Sequence, residues 1–123
     1  MKNNRGKAFY FLIFIFLLVF NSCKEDENVS GGNQQPGANE VWMQNDAFTP
    51  ATKTVAMGTT ILWTNKESDL HTVTSGTPGS PSGVFGSTDL SLNGTFSFTF
   101  NTQGTFQYFC QNHNGMTGTI IVQ

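Results

Sequence analysis

The folded part of this chain is predicted to be a single small all-β sandwich, and three observations carry that prediction. No stretch sustains an apolar repeat of 3.6 residues, short alternating runs recur, and turn-forming residues interrupt them roughly every eight to twelve positions. Thr95-Phe96-Ser97-Phe98-Thr99-Phe100 is the clearest run. It sets phenylalanines on one face and hydroxyl residues on the other, as a strand with one buried face requires.

Taken in order, the chain begins with a segment that is not expected to join the fold. Lys2, Arg5 and Lys7 form a basic head, Ala8 to Phe20 is an uncharged and almost wholly apolar run, and Asn21-Ser22-Cys23 follows. The run is shorter than the roughly 20 residues that span a bilayer as a helix. A basic head, an apolar run and small residues make up a secretory signal. Ending on Ser22-Cys23, it resembles a bacterial lipoprotein signal peptide over residues 1–22, with Cys23 as the lipidated mature N-terminus. Phe20 and Asn21 depart slightly from the usual motif before the cysteine. An exported compartment would also permit a Cys23–Cys110 disulfide, but lipidation of Cys23 removes that option.

Residues 23–39 read as a lipid-anchored tether. Lys24-Glu25-Asp26-Glu27 is followed by a stretch rich in Gly, Asn, Gln and Ser, with no apolar periodicity to bury. A flexible chain of this length reaches on the order of 20 Å. The acidic cluster reads either as a solvated linker end or as an export tag to the outer cell surface.

Residues 40–123 are enough for one domain. They hold Lys53 and Lys66 against Glu40, Asp46, Glu67, Asp69 and Asp89, a formal net charge of −3. That excludes a nucleic-acid partner, and the charge is too sparse to name a docking patch. Thr54-Val55, Thr59 to Thr64, His71 to Thr74 and Thr117 to Val122 are short and rich in β-branched residues. Phe106, Tyr108 and Cys110 share one side of a further strand. Ser75 to Asn93 reads as a long loop between sheets, with Val84, Phe85, Leu90 and Leu92 as apolar anchors. Phe85 is expected in the core rather than as a shield over a metal.

The chemistry concentrates in Cys110-Gln111-Asn112-His113-Asn114-Gly115-Met116, where a thiol, an imidazole and a thioether follow the pattern Cys-x2-His-x2-Met. The chain has two histidines, and the other, His71, lies about forty residues upstream. Taken singly, each of these residues reads as ordinary packing. Together they use both histidines and the one cysteine of the domain, which points to a metal site. Two His, one Cys and a weak Met suit copper of the blue, electron-transfer kind. Structural zinc more usually takes four Cys and His ligands, and catalytic zinc takes His, carboxylate and water. In an antiparallel sandwich the loops gather at the ends, so His71 can meet a distant hairpin loop.

Several stretches carry a family resemblance: Ala47-Phe48-Thr49-Pro50, Val55 to Asn65 with Trp63, His71-Thr72-Val73, and Gly104 to Cys110 running into His113 and Met116. From about Val41 to Val122 the chain resembles the cupredoxins, small blue copper proteins of the plastocyanin and amicyanin type. Its short ligand loop is most similar to amicyanin. The resemblance implies a Greek-key β-sandwich, with His71, Cys110 and His113 as strong copper ligands and Met116 as a weak axial one. It also implies His113 as the electron port, set in an apolar patch with Gly115, Met116 and the loop around Pro78 and Pro81.

Thr72 and Gln111 depart from the Asn and the Ser or Thr that many cupredoxins place there to brace the loop, which leaves the potential open. The function implied is one-electron transfer, without enzymatic chemistry, by a monomer in the cell envelope. Its partner would be a redox protein such as a cytochrome c, a copper nitrite reductase or a terminal oxidase. The anchor would face the periplasm or the outer surface. Copper storage, delivery or resistance is the alternative, disfavoured by the lack of any further Met- or His-rich tract.

Overall fold

Alternating residues in the strands pack two sheets face to face around an aromatic centre. The computed structural model describes residues 34–123. The expected signal (1–22), Cys23 and the first part of the tether lie outside the described residues. The first sheet contains β1 (Glu40–Gln44), β2 (Ala47–Thr49), β4 (Thr59–Asn65) and β7 (Thr95–Phe100), in the order β2-β1-β4-β7. The second contains β3 (Thr52–Val55), β5 (Thr74–Thr77), β6 (Ser80–Gly86), β8 (Gly104–Phe109) and β9 (Thr117–Val122), in the order β3-β9-β8-β5-β6. Parallel pairs β1–β4 and β3–β9 join otherwise antiparallel ladders. The result is an all-β two-sheet sandwich.

The alternation in β7 is realised as expected. Phe96 and Phe98 pack partly buried against the core and Phe100 is buried, while the hydroxyl residues face outward. In β4, Ile61 and Trp63 point inward with no exposure, and Leu62 between them is exposed. Trp63 is the hub: its ring lies 5.5 Å from Tyr108, 5.7 Å from Phe96 and 5.8 Å from Phe85 by centroids. Such aromatic pairs add specific contact to the burial of their apolar area. Phe85 is therefore a core residue. Across from Tyr108 the chain has Gly118, where any Cβ would collide with the tyrosine ring. Burial pushes the Tyr108 phenol up to about 12.

The long loop expected over Ser75 to Asn93 is half sheet. β5 and β6 form a hairpin with Thr77 paired to Ser80 and a register shift between Thr74 and Gly76. Ser75, buried, organises the irregularity: its hydroxyl oxygen accepts the N–H groups of Val84 and Phe85, both at 3.0 Å. The Gly, Ser and Pro composition hid this hairpin, because side-chain hydroxyls rather than apolar alternation hold it. Conversely, His71 to Val73 is not a strand. His71 makes a single bridge to Leu90, and regular pairing starts at Thr74.

Candidate metal centre

Cys110 follows the end of β8, and the chain turns back within six residues into β9. The backbone closes this loop on itself, with Cys110 N–H donating to Met116 O at 3.0 Å and Met116 N–H to His113 O at 3.3 Å. Gly115 takes the left-handed conformation the turn needs, with φ 82°. Cys110 and Met116 are both buried at the margin of the core.

His71 arrives from the connection between β4 and β5. Two backbone bonds pair it with Leu90, His71 N–H to Leu90 O at 3.2 Å and Leu90 N–H to His71 O at 2.8 Å. Asn65, fully buried at the end of β4, fixes both sides of this bridge. Its amide donates to Asp69 O at 2.7 Å and to Leu90 O at 2.8 Å. From the other side Asn112 donates to Leu70 O at 3.0 Å and to Asp89 Oδ1 at 2.9 Å, joining the cysteine loop to the histidine loop.

These elements bring the expected donors together. His71 Nδ1 lies 3.7 Å and His113 Nδ1 3.5 Å from Cys110 Sγ. The two imidazole rings stand 4.4 Å apart at an angle of 33°. His71 has no exposure, whereas 23% of the His113 side chain meets solvent.

The tautomer of His71 is fixed by its surroundings. Nε2 lies 2.6 Å from Glu67 Oε1, and a carboxylate can only accept, so Nε2 carries a proton, and in the neutral ring the Nδ1 lone pair then faces the sulfur. Glu67 also accepts Asn45 N–H at 2.9 Å and Asp46 N–H at 3.2 Å. Partial burial pushes its carboxyl up, but the hydrogen bonds from Asp46, Asn45 and His71 outweigh that and hold it below the usual 4.5.

Thr72 supplies the brace that its departure from asparagine left open. Its backbone N–H donates to Cys110 Sγ at 3.3 Å, and its Oγ1 accepts Gln111 N–H at 2.8 Å. A hydroxyl thus ties the residue after His71 to the residue after Cys110.

The donor set fits a soft metal ion. Both Nδ1 atoms converge on one buried sulfur. A cation between the three atoms would satisfy all of them, and Thr72 N–H already points at the sulfur as it would at a thiolate.

Two expectations about the surroundings of His113 change. Its neighbours are not the proline loop: Asp46 Oδ1 lies 3.2 Å from Nε2, and Asp69 stands in the same cluster. Pro78 instead lines a recess with Gln107, Tyr108 and Thr119, because β5 runs along β8 away from Cys110. Sparse charge also proves to be concentrated. Asp46, Glu67, Asp69 and Asp89 all contact or neighbour the two histidine loops, whereas Lys53 reaches Ala38 O and Lys66 lies over Trp42. Sequence reasoning missed Glu67, Asp46 and Asn65 as supports. The one local signal was Glu67 placed four residues before His71.

Known proteins share this arrangement of strands. The cupredoxin-like domain family matches residues 9–122. Chloroplastic plastocyanin of Tetradesmus obliquus is 36% identical over 84 residues, covering 62% of this chain and 58% of that protein. The chain thus spans less than two thirds of that relative's length. Amicyanin-alpha of Methylorubrum extorquens is 35% identical over 89 residues, covering 71% of this chain and 73% of that one. Among solved structures, a purple cupredoxin from Nitrosopumilus maritimus superposes with a TM-score of 0.64 at 25% identity, over 68% of this chain and 98% of that one. A Cu(I) form of an amicyanin variant gives 0.62 at 25% identity, over 74% and 87%. Matched along most of its length and alike in fold, the chain belongs to the cupredoxin-like family.

Proposed function

We propose that this protein holds one type 1 copper ion through His71, Cys110, His113 and Met116 and carries single electrons between redox proteins of the cell envelope. The observation that carries this reading is the convergence of two Nδ1 atoms, at 3.7 Å and 3.5 Å, on one buried sulfur. A copper ion held there supplies one-electron exchange between Cu(I) and Cu(II), and the mixed soft and borderline donors suit both states. The chain's own residues supply the rest. Glu67 and the Leu90 bridge keep His71 in place, Thr72 stabilises the sulfur as thiolate, and core packing fixes Cys110. The part-exposed edge of His113 is the route by which a partner reaches the site.

The relatives named plastocyanin and amicyanin support this assignment. A lipid anchor at Cys23 is supported by the basic, apolar and Ser22-Cys23 order of the first residues. It would hold the domain at a membrane, facing the periplasm or the outer surface. Repeated reduction and reoxidation of the copper-loaded protein tests the function. An electron carrier keeps its metal through the cycles and passes the electron to a second redox protein. A protein that instead surrenders Cu(I) to a chelating partner on reduction belongs to copper storage or delivery.

A further inference from the structure

Outside the four donors, one turn reaches His113 directly and His71 through Glu67. Gln44 pairs with Ala47, so Asn45 and Asp46 alone close the hairpin between β1 and β2. Both take left-handed backbone angles, φ 54° and 53°, as a two-residue type I′ turn requires, and Asn and Asp tolerate that region best among residues with a Cβ. Their N–H groups end on Glu67, at 2.9 Å and 3.2 Å. The same carboxylate receives His71 Nε2–H at 2.6 Å. The turn is therefore fastened to the group that fastens His71. Its tip then returns to the site from the other side, where Asp46 Oδ1 stands 3.2 Å from His113 Nε2.

We propose that Asp46 is a positioning residue for His113: its carboxylate beside Nε2 keeps the ring proton on that nitrogen and leaves Nδ1 free toward Cys110. The inference rests on the reading of His113 as a metal ligand. The electrostatic reason is direct. A negative charge at this distance stabilises the positive hydrogen of an N–H on Nε2 and repels a lone pair there. Nδ1 then presents its lone pair 3.5 Å from the sulfur, the arrangement a metal ion between them needs. Glu67 and Asp46 thus do the same for the two imidazoles, and Glu67 holds the turn that delivers Asp46. Asp69 shares the rim, its carboxylate lying within 4.8 Å of the Asp46 carboxylate and of a His113 ring nitrogen.

The test is carried out on the full-length, metal-free protein by nitrogen–proton correlation of the His113 side chain. About pH 8 is suitable, where an ordinary imidazole is neutral. Asp46→Asn removes the charge and keeps the turn, and Asp46→Gly removes the side chain in a residue that suits a positive φ. Both should lower the ratio of Nε2–H to Nδ1–H tautomer by about two- to fivefold, the range an exposed charge contact supplies, with the backbone spectrum of the sandwich unchanged. Asp69→Asn removes equal charge without the 3.2 Å contact and should shift the ratio less.

Copper titration is the second readout. Asp46→Gly should weaken Cu(II) by up to about fivefold, no more than the change in tautomer ratio allows, and Cu(I) by less. An unchanged tautomer ratio in both Asp46 variants, or an equal shift in Asp69→Asn, overturns the role of Asp46. A wild-type protein that binds no copper yet shows the tautomer shift overturns the metal reading and leaves the hold of Asp46 on His113 standing.

Discussion

Replacing Glu67 by alanine takes one acceptor away from three donors. The His71 ring has no exposure, so its Nε2–H would lose the partner it has among the described residues. A buried donor left unpaired costs about 1–3 kcal/mol. The Asn45 and Asp46 N–H groups lie at an exposed turn, where water replaces the carboxylate and adds little. A central loss of about 2 kcal/mol in a domain of this size lowers the melting temperature by roughly 8–16 °C. Thermal unfolding of the metal-free protein reads that loss without any contribution from bound copper. Competition titration should then show copper affinity reduced by about 10- to 100-fold, as for other groups that hold a ligating histidine. Glu67→Gln separates the two effects: its amide oxygen can still accept from Nε2 and recovers most of the stability, while the missing charge keeps affinity low. A metal-free Glu67→Ala protein melting within about 2 °C of wild type and binding copper as well would refute the claim that Glu67 orients His71.

Three further outcomes are expected. Thr72→Val keeps the backbone N–H on Cys110 Sγ but removes the acceptor for Gln111 N–H, so the blue band should persist with a shifted reduction potential and a stability loss of about 1 kcal/mol; a bleached protein would contradict the division of labour between backbone and hydroxyl. Met116→Leu should keep copper bound and change the potential, because the axial bond is weak, and complete loss of copper on titration would rule that role out. Tyr108 carries a buried hydroxyl without a hydrogen-bond partner among the described residues, and burial pushes its phenol up from the usual 10 to about 12. Its contribution is therefore fully present below pH 10 and lost as pH rises toward 12. Tyr108→Phe should be at least as stable at neutral pH and should remove that part of the alkaline loss in unfolding titrations.

The sandwich was legible where burial on one side imposes a period of two. Thr95 to Phe100 and the strand carrying Phe106 and Tyr108 are recovered by the structure because large side chains alternate toward the core, although that strand ends at Phe109, one residue before Cys110. The β5–β6 hairpin was not, since Ser75 holds it with a hydroxyl and its residues are mostly exposed. The donors of the candidate site were legible for a similar reason. Cys110, His113 and Met116 are crowded into one loop, and His71 is the remaining histidine.

Their supports were hidden. Asp46 lies 25 residues from His71 and 67 from His113, and only the pairing of β1 with β4 brings its turn to Glu67. Asn65 looks like a strand end in the sequence, yet its amide ties two loops that the sequence does not mark as neighbours. Such links depend on where loops meet at the end of a sandwich, and no local pattern encodes that.

The proposed function requires that His71, Cys110 and His113 close on one copper ion with the cysteine as thiolate. The visible absorption and electron paramagnetic resonance spectra of the Cu(II)-loaded protein, beside those of Cys110→Ser, test it most directly. An intense blue or green charge-transfer band is expected that bleaches on reduction, returns on reoxidation and is absent from the serine variant. A colourless wild-type protein, or a band that survives in Cys110→Ser, would contradict it.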